Sequence, residues 1–126
     1  MTDGAPQRPR TIVVVDDQAE FLQIARTRLS RDACLEVIGE ATSGEAALDL
    51  VLRLEPGPDG VLLDVEMPGL DGFETARRLR SVAPEVRIIL TSASTAAGYG
   101  AVAGRIGAAF LPKNSLSATA VLDLLD

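Results

Sequence analysis

Short apolar runs alternate with segments of helical periodicity along the whole chain, and this alternation restricts the possible folds more than any other feature. Five runs of aliphatic residues, many of them β-branched, are each followed by a segment in which apolar residues recur every three to four positions. Because runs that are apolar throughout are typical of strands buried on both faces, the pattern predicts a parallel sheet covered by helices on both sides. The predicted strands are residues 12–15, 37–38, 61–63, 88–90 and 109–111.

Residue types at the segment boundaries indicate where the helices begin. Ser43 and Asp71 each precede a helical segment and are predicted N-caps, because their side chains accept hydrogen bonds from free backbone N–H groups. Two further helices are expected over residues 18–31 and about 116–125. The glycines between residues 98 and 107 predict that the helix joining the fourth and fifth strands is short.

Size, charge and composition exclude several classes of function. The 126 residues form one domain, predicted to be folded over residues 11–126 and preceded by a flexible tail at residues 1–10. A net charge of −6 without a basic block argues against nucleic acid or an anionic membrane as a partner. The chain has no histidine, which excludes His-based metal sites and triads. Cys34 is the single cysteine and is expected to be buried, and with no signal peptide or apolar 18-residue run we expect a cytoplasmic protein.

Acidic, hydroxyl and basic side chains follow four of the five predicted strands. Asp16 and Asp17 follow the first strand, Asp64 the third, Thr91 and Ser92 the fourth, and Lys113 the fifth. Ligands of open parallel sheets bind beyond the carboxyl ends of the strands. We therefore expect these side chains to meet at one edge of the sheet.

Three converging carboxylates must bind a cation or become protonated. At a separation of about 5 Å, each like-charge pair costs about 3 kcal/mol at an effective dielectric constant near 20. Hard oxygen ligands that are open to water suit Mg²⁺, and a carboxylate beside Mg²⁺ is a competent nucleophile toward phosphorus. A lysine and a hydroxyl can bind the remaining oxygens of a transferring phosphoryl group.

Four motifs together resemble the receiver domain of two-component response regulators. They are VVVDDQ at residues 13–18, LLDVEMPGLDGFE at 62–74, IILTSA at 88–93 and FLPK at 110–113. The resemblance covers residues 11–126. It implies a doubly wound α/β fold of the flavodoxin-like type, with five parallel strands in the order 2-1-3-4-5 and helices on both faces. This strand order is a known property of the family and does not follow from the residues themselves.

The resemblance also implies roles for the acidic residues. Asp64 is expected to be the phosphoacceptor. Asp16 and Asp17 are expected to organise Mg²⁺, with Asp17 and Asp64 as direct ligands and the backbone carbonyl of Glu66 as a third ligand.

At the fourth and fifth strands, the resemblance implies that Thr91 binds the phosphoryl group, that Lys113 pairs with it, and that Phe110 is the aromatic switch residue. Ser92 is the alternative hydroxyl, and Thr91 is preferred because the predicted strand leads directly into it. Lys113 is the only lysine in the chain. Much of the family has proline where this chain has Asn114, so the cis peptide of the family is not predicted after Lys113. The family more often has tyrosine where this chain has Phe110, so the hydrogen bond of a phenolic hydroxyl is not predicted either.

The function implied by this resemblance is a phosphorylation-driven switch. A histidine kinase would donate phosphoryl to Asp64, and the surface around the fourth strand, the following helix and the fifth strand would change, with homodimerisation as one outcome. Such a domain catalyses only its own phosphorylation and dephosphorylation and is not a turnover enzyme.

Two other functions compete with this one. The first is a degenerate receiver that acts as a phosphorylation-independent interaction module, which the substitution at Asn114 favours. The second is a phosphohydrolase of the haloacid dehalogenase type, for which Glu66 meets the spacing from Asp64 only loosely. The second alternative needs a cap domain, for which 126 residues leave no room.

Overall fold

A computed structural model describes residues 8–94 and 98–126 of the chain. Strands and helices alternate throughout, as the sequence pattern predicts. The strands are β1 (Arg10–Val15), β2 (Leu35–Ala41), β3 (Gly60–Asp64), β4 (Arg87–Ser92) and β5 (Ala109–Pro112). The helices are α1 (Ala19–Leu29), α2 (Gly44–Arg53), α3 (Gly72–Val82), α4 (Tyr99–Ile106) and α5 (Ala118–Leu125), and a 3₁₀ turn at Lys113–Ser115 precedes α5.

The five strands form one parallel sheet in the order β2-β1-β3-β4-β5. This order confirms the predicted doubly wound fold. Its first crossover leads from β1 outward to β2, and the next returns across β1 to β3, so the direction of winding reverses beside β1. The carboxyl ends of β1 and β3 flank this reversal, which is where open α/β sheets bind their ligands.

Alternate residues of the central strands bury two separate cores. Val13, Leu63 and Leu90 pack with α2, α3 and α4 on one face of the sheet. Val14 and Leu62 pack with α1 and α5 on the other face. Since successive side chains of a strand point to opposite faces, the face of each residue at a strand end follows from this alternation.

The two predicted N-caps are confirmed. Ser43 Oγ accepts a hydrogen bond from Ala46 N at 3.1 Å, and Asp71 Oδ1 accepts one from Glu74 N at 2.9 Å. Helix α4 has only eight residues, and Gly107 follows it with a φ of +83°, a conformation that favours glycine.

Cys34 and the start of β1 differ from expectation. Cys34 is exposed, because it lies in the turn before β2, where its N–H donates to Asp32 Oδ1. Strand β1 already begins at Arg10, and the first seven residues of the predicted tail lie outside the described part of the chain. The peptide bond between Lys113 and Asn114 is trans; among the described residues the cis bond is Glu55–Pro56.

No helix in residues 8–94 or 98–126 is long and apolar enough to cross a membrane.

Candidate functional site

Three strands deliver the predicted acidic and basic residues to one edge of the sheet. Asp16 directly follows β1, Asp64 is the last residue of β3, and Lys113 directly follows β5. Asp16 and Asp64 are buried, whereas Asp17 is exposed. The buried apolar strands fix the backbone up to these residues, so the site sits on a rigid support.

The three carboxylates converge as predicted. One carboxylate oxygen from each of Asp16, Asp17 and Asp64 lies within 4.8 Å of the other two. The set consists of hard oxygen ligands, two of them buried and one facing solvent. Such a set fits Mg²⁺, which binds one or two carboxylates and keeps several waters.

Lys113 lies against the acidic cluster. Its Nζ is 2.7 Å from Asp16 Oδ2 and 3.7 Å from Asp64 Oδ2, and its side chain is only 13% exposed. The ammonium therefore offsets part of the repulsion between the carboxylates. A flexible point charge with three donors is also suited to following an oxygen of an incoming group.

The backbone around the two buried aspartates holds their carboxylates in place. Asp16 Oδ1 accepts a hydrogen bond from Gln18 N at 2.9 Å, and Asp64 Oδ1 accepts one from Glu66 N at 3.3 Å. The loop after β3 is tied to its neighbours by Val65 N, which donates to Thr91 O at 2.8 Å. These bonds orient the carboxylates before any ligand arrives.

Asp64 is electrostatically perturbed. Burial raises its pKa to about 6, and the negative charges of Asp16 and, to a smaller extent, Asp17 act in the same direction. Lys113 and the N–H of Glu66 oppose this shift. A carboxylate whose charge is this poorly stabilised gains from a nearby cation, which is consistent with a metal-assisted nucleophile.

Two hydroxyls at the end of β4 have different surroundings. Thr91 pairs in register with Asp64, and its buried Oγ1 has no hydrogen-bond partner among the described residues. Ser92 Oγ donates to Glu66 Oε1 at 3.1 Å and accepts from Ser94 N at 2.9 Å. Strand β4 extends two residues beyond its predicted end, so both hydroxyls lie within it and point to opposite faces of the sheet.

Phe110 shares a sheet face with Ser92 and not with Thr91. It pairs in register with Leu90 and packs on the core formed with α2, α3 and α4. Thr91 pairs with Leu111, which belongs to the other core. The sequence alone did not distinguish these faces, although the strict alternation of β4 would have done so once the end of the strand was known.

Aromatic contacts extend from Phe110 toward α3. Its ring centroid lies 5.6 Å from that of Tyr99 in α4, and the Tyr99 centroid lies 5.8 Å from that of Phe73 in α3. Tyr99 was not among the predicted functional residues, because a lone tyrosine in a glycine-rich segment gives no periodic signal. The three rings link β5 to two helices on one face of the sheet.

Comparisons with known proteins agree with this geometry. The chain is 38% identical over 105 residues to a protein-glutamate methylesterase/protein-glutamine glutaminase of Nocardioides sp., covering 81% of this chain and 28% of that protein. It is 36% identical over 88 residues to the nitrate/nitrite response regulator protein NarL of Escherichia coli K12, covering 70% of this chain and 40% of that protein. The chain thus spans less than half of either relative.

Solved structures match over nearly the whole chain. The signal receiver domain of the putative response regulator NarL from Mycobacterium tuberculosis is 36% identical, with a TM-score of 0.84, and the match covers 94% of this chain and 98% of that one. A structure of the CheX–CheY–BeF3–Mg complex from Borrelia burgdorferi is a further match, 25% identical with a TM-score of 0.80, covering 94% of this chain and 87% of that one.

The family described as the response regulator receiver domain matches residues 12–121. This range contains the acidic cluster, both hydroxyls, Phe110 and Lys113, which the fold brings to one edge of the sheet or to the adjoining face. The chain therefore belongs to the response regulator receiver domains of two-component systems.

Proposed function

We propose that this receiver domain accepts a phosphoryl group from a histidine kinase onto Asp64, with Mg²⁺, and thereby switches a protein-interaction surface. The observation that carries the proposal is the convergence of three carboxylates within 4.8 Å beside a largely buried lysine. A structural strand end needs none of these charges. Their mutual repulsion is tolerated because the arrangement serves a ligand that neutralises it.

The metal would be held by Asp17, Asp64 and the backbone carbonyl of Glu66, with Asp16 completing the acidic site. When bound, Mg²⁺ neutralises charge on the transferring phosphoryl oxygens and on the attacking carboxylate. The donor set supports this proposal, because all the side-chain ligands are carboxylate oxygens and Asp17 is open to water. The related CheX–CheY complex contains BeF3 and Mg, which supports the same choice.

Transfer places a side-chain oxygen of Asp64 in line with phosphorus. The new bond joins this oxygen to phosphorus as the phosphorus–nitrogen bond of the donor phosphohistidine breaks, and the imidazole leaves with the electron pair. Lys113 lies 3.7 Å from Asp64 Oδ2, so a small movement of its ammonium brings it to an oxygen of the acyl phosphate. Burial of Asp64 limits access of water to the product.

A hydroxyl of β4 is proposed to bind another phosphoryl oxygen. Thr91 remains the predicted hydroxyl for this contact, and its unpartnered Oγ1 beside Asp64 supports it. Coupling to Phe110, however, is better served by Ser92, because Ser92 shares the face on which Phe110 packs. We therefore propose that Ser92, and not Thr91, couples the phosphorylated site to Phe110.

Two substitutions separate these hydroxyls. Ser92→Ala is expected to leave phosphoryl uptake by Asp64 within about threefold of wild type, because a single neutral hydrogen bond contributes little, while abolishing the response of the Phe110 ring to phosphorylation. Thr91→Val removes the other hydroxyl at nearly constant volume. Aromatic side-chain NMR of Phe110 measures the response. Loss of the response in Thr91→Val, with Ser92→Ala behaving as wild type, would assign the coupling to Thr91 instead.

Beryllofluoride binding tests the proposed phosphoryl site directly. Fluorine NMR of the wild-type protein is expected to show bound beryllofluoride only when Mg²⁺ is present, because the complex mimics an aspartyl phosphate. Asp64→Asn is expected to show none. Asp49→Asn, on the exposed side of α2, is a matched control that is expected to bind as wild type does. Binding without Mg²⁺, or binding in Asp64→Asn, would contradict the proposal.

The output of the switch is proposed to be protein association through the face formed by β4, α4 and β5, with a homodimer as one form. This domain is proposed to act in the cytoplasm and to catalyse only its own phosphorylation and dephosphorylation. Size-exclusion chromatography with and without beryllofluoride and Mg²⁺ tests the dimer. An unchanged elution volume would argue against the homodimer and favour a different protein as the partner.

A further inference from the structure

A buried aromatic ring covers the ammonium of Lys113. The Nζ atom lies 4.3 Å from the centroid of Phe21, which is in the first turn of α1. Phe21 is 8% exposed and belongs to the core that α1 and α5 form on the sheet. The same Nζ is 2.7 Å from Asp16 Oδ2. The ammonium is thus held between a carboxylate and the face of a ring.

We propose that Phe21 is a positioning residue for phosphoryl transfer, because its ring holds the Lys113 ammonium inside the site by a cation–π interaction. This inference rests on the proposed function of the domain. A cation above an aromatic face is attracted by the negative charge of the ring face, and the attraction grows when water is excluded. Phe21 fulfils both conditions, since its ring is buried and the lysine side chain is largely buried with it.

The ring becomes important when the ion pair between Asp16 and Lys113 weakens. Lys113 pairs with Asp16 at 2.7 Å and stands farther from Asp64. Binding of a cation by the acidic cluster draws the carboxylates toward that cation and weakens the ion pair. A four-carbon side chain released from its partner can turn toward solvent. The Phe21 ring does not change its charge in this process, so it keeps the ammonium near Asp64.

Substitutions at Phe21 test this role through phosphoryl uptake. With acetyl phosphate as donor and saturating Mg²⁺, Phe21→Leu is expected to slow uptake by about thirtyfold, the size expected for a desolvated cation–π contact. Phe21→Tyr keeps the aromatic face and is expected to stay close to wild type. Leu22→Met alters the same buried helix face without touching the cation and serves as the packing control.

Pentafluorophenylalanine at position 21 provides a variant that preserves shape and therefore folding. Fluorination reverses the charge distribution of the ring face, so this protein is expected to be slowed at least as much as Phe21→Leu. A fluorinated protein with the wild-type rate would overturn the proposal. Equal slowing by Tyr, Leu and the packing control would also overturn it, because the effect would then be one of packing.

An NMR measurement on the unphosphorylated, metal-free protein is independent of transfer. Because the chain has one lysine, lysine labelling gives a single set of side-chain resonances. The ε-methylene protons of Lys113 are expected to be shifted upfield by the ring current of Phe21 and to return to ordinary values in Phe21→Leu. An unshifted resonance in wild type would refute the contact. Absence of phosphoryl uptake in wild type, with the upfield shift present, would contradict the proposed function but leave the contact established.

Discussion

At the scale of single residues, the chemistry of the site depends on the placement of one carboxylate. Asp64 is buried at a strand end, beside Asp16 and opposite Lys113. With a pKa of about 6, the Asp64 carboxyl is mostly ionised at neutral pH. It is mostly protonated at about pH 4, two pH units below its pKa. The Asp64 carboxylate is therefore mostly charged at neutral pH, at a cost in stability.

Asp64→Asn is expected to stabilise the metal-free protein at neutral pH. Because the folded state raises the pKa of Asp64 from 3.8 to about 6, the folded state binds this proton more tightly than the unfolded state does. The contribution of Asp64 to the free energy of unfolding is fully present at pH values below its pKa in the unfolded state. It is lost as the pH rises through its pKa in the folded state. We expect a gain of about 1–2 kcal/mol at about pH 7, after allowance for solvent screening, and little difference at about pH 4.

Urea unfolding in EDTA at the two pH values measures this effect. Asp49→Asn removes an exposed acid and controls for the change in net charge. An Asp64→Asn protein that is less stable than wild type at neutral pH would show that the Asp64 carboxylate stabilises the fold, which is the opposite of what we expect.

At the scale of secondary structure, α3 packs closely against the loop that follows Asp64. Gly72 begins α3, and a Cβ placed on it would lie 2.2 Å from Asp64 O and 2.7 Å from Val65 Cα. Gly72 N also donates to Val65 O at 3.0 Å. The Asp71–Gly72 pair thus serves as a helix cap and as the point where the helix approaches the backbone of Asp64.

Gly72→Ala is expected to destabilise the protein by about 1–3 kcal/mol, since backbone atoms must move to admit the added carbon. The same displacement shifts Asp64, so phosphoryl uptake is expected to fall as well. Gly57→Ala is the matched control, because a Cβ there meets nothing within 4 Å. Chemical denaturation and acetyl phosphate labelling measure the two effects. A Gly72→Ala protein as stable and as readily labelled as the Gly57→Ala control would refute the close packing.

The central strands could be predicted well from the sequence, whereas the edge strand β2 could be predicted only in part. Residues 61–63 are apolar throughout because both faces of β3 are buried, so the pattern is unambiguous. Strand β2 was predicted only at residues 37–38 but spans Leu35–Ala41. It lies at the edge of the sheet, where Glu36, Gly39 and Glu40 are tolerated and interrupt the apolar run.

The same physical limit applies to the site. The acids and Lys113 follow uninterrupted apolar strands, and the carboxyl ends of parallel strands lie at one edge of the sheet, so their convergence there could be predicted. The face of each β4 hydroxyl could not, because it depends on whether the strand ends at Leu90 or continues to Ser92. The ring of Phe21 over Lys113 is a contact between residues 92 positions apart, which no local pattern records.

At the scale of the whole molecule, the fold concentrates negative charge that its ligands must offset. The chain carries a net charge of −6, and three of its acids converge at one edge of the sheet. A cation that binds only the folded state adds stability in proportion to the logarithm of its concentration. The proposed metal binding would therefore be coupled to global stability through the acidic cluster.

Mg²⁺ is expected to raise the free energy of unfolding by about 2.7 kcal/mol at a hundred times its dissociation constant. Asp17→Asn removes an exposed carboxylate that is proposed to bind the metal, has little effect on packing, and is expected to lose most of this gain. Thermal unfolding across a magnesium titration measures it, with Asp32→Asn as a control far from the predicted ligands in sequence. Equal stabilisation of Asp17→Asn and wild type would place the metal elsewhere.

Phosphoryl uptake by Asp64 is the most direct test of the central claim. The wild-type protein is incubated with acetyl phosphate, with Mg²⁺ or with EDTA, and its intact mass is recorded together with that of Asp64→Asn. We predict one added phosphoryl group per wild-type chain with Mg²⁺, almost none with EDTA, and none on Asp64→Asn. Equal labelling of Asp64→Asn, or an unlabelled wild-type protein that still binds Mg²⁺, would contradict the claim.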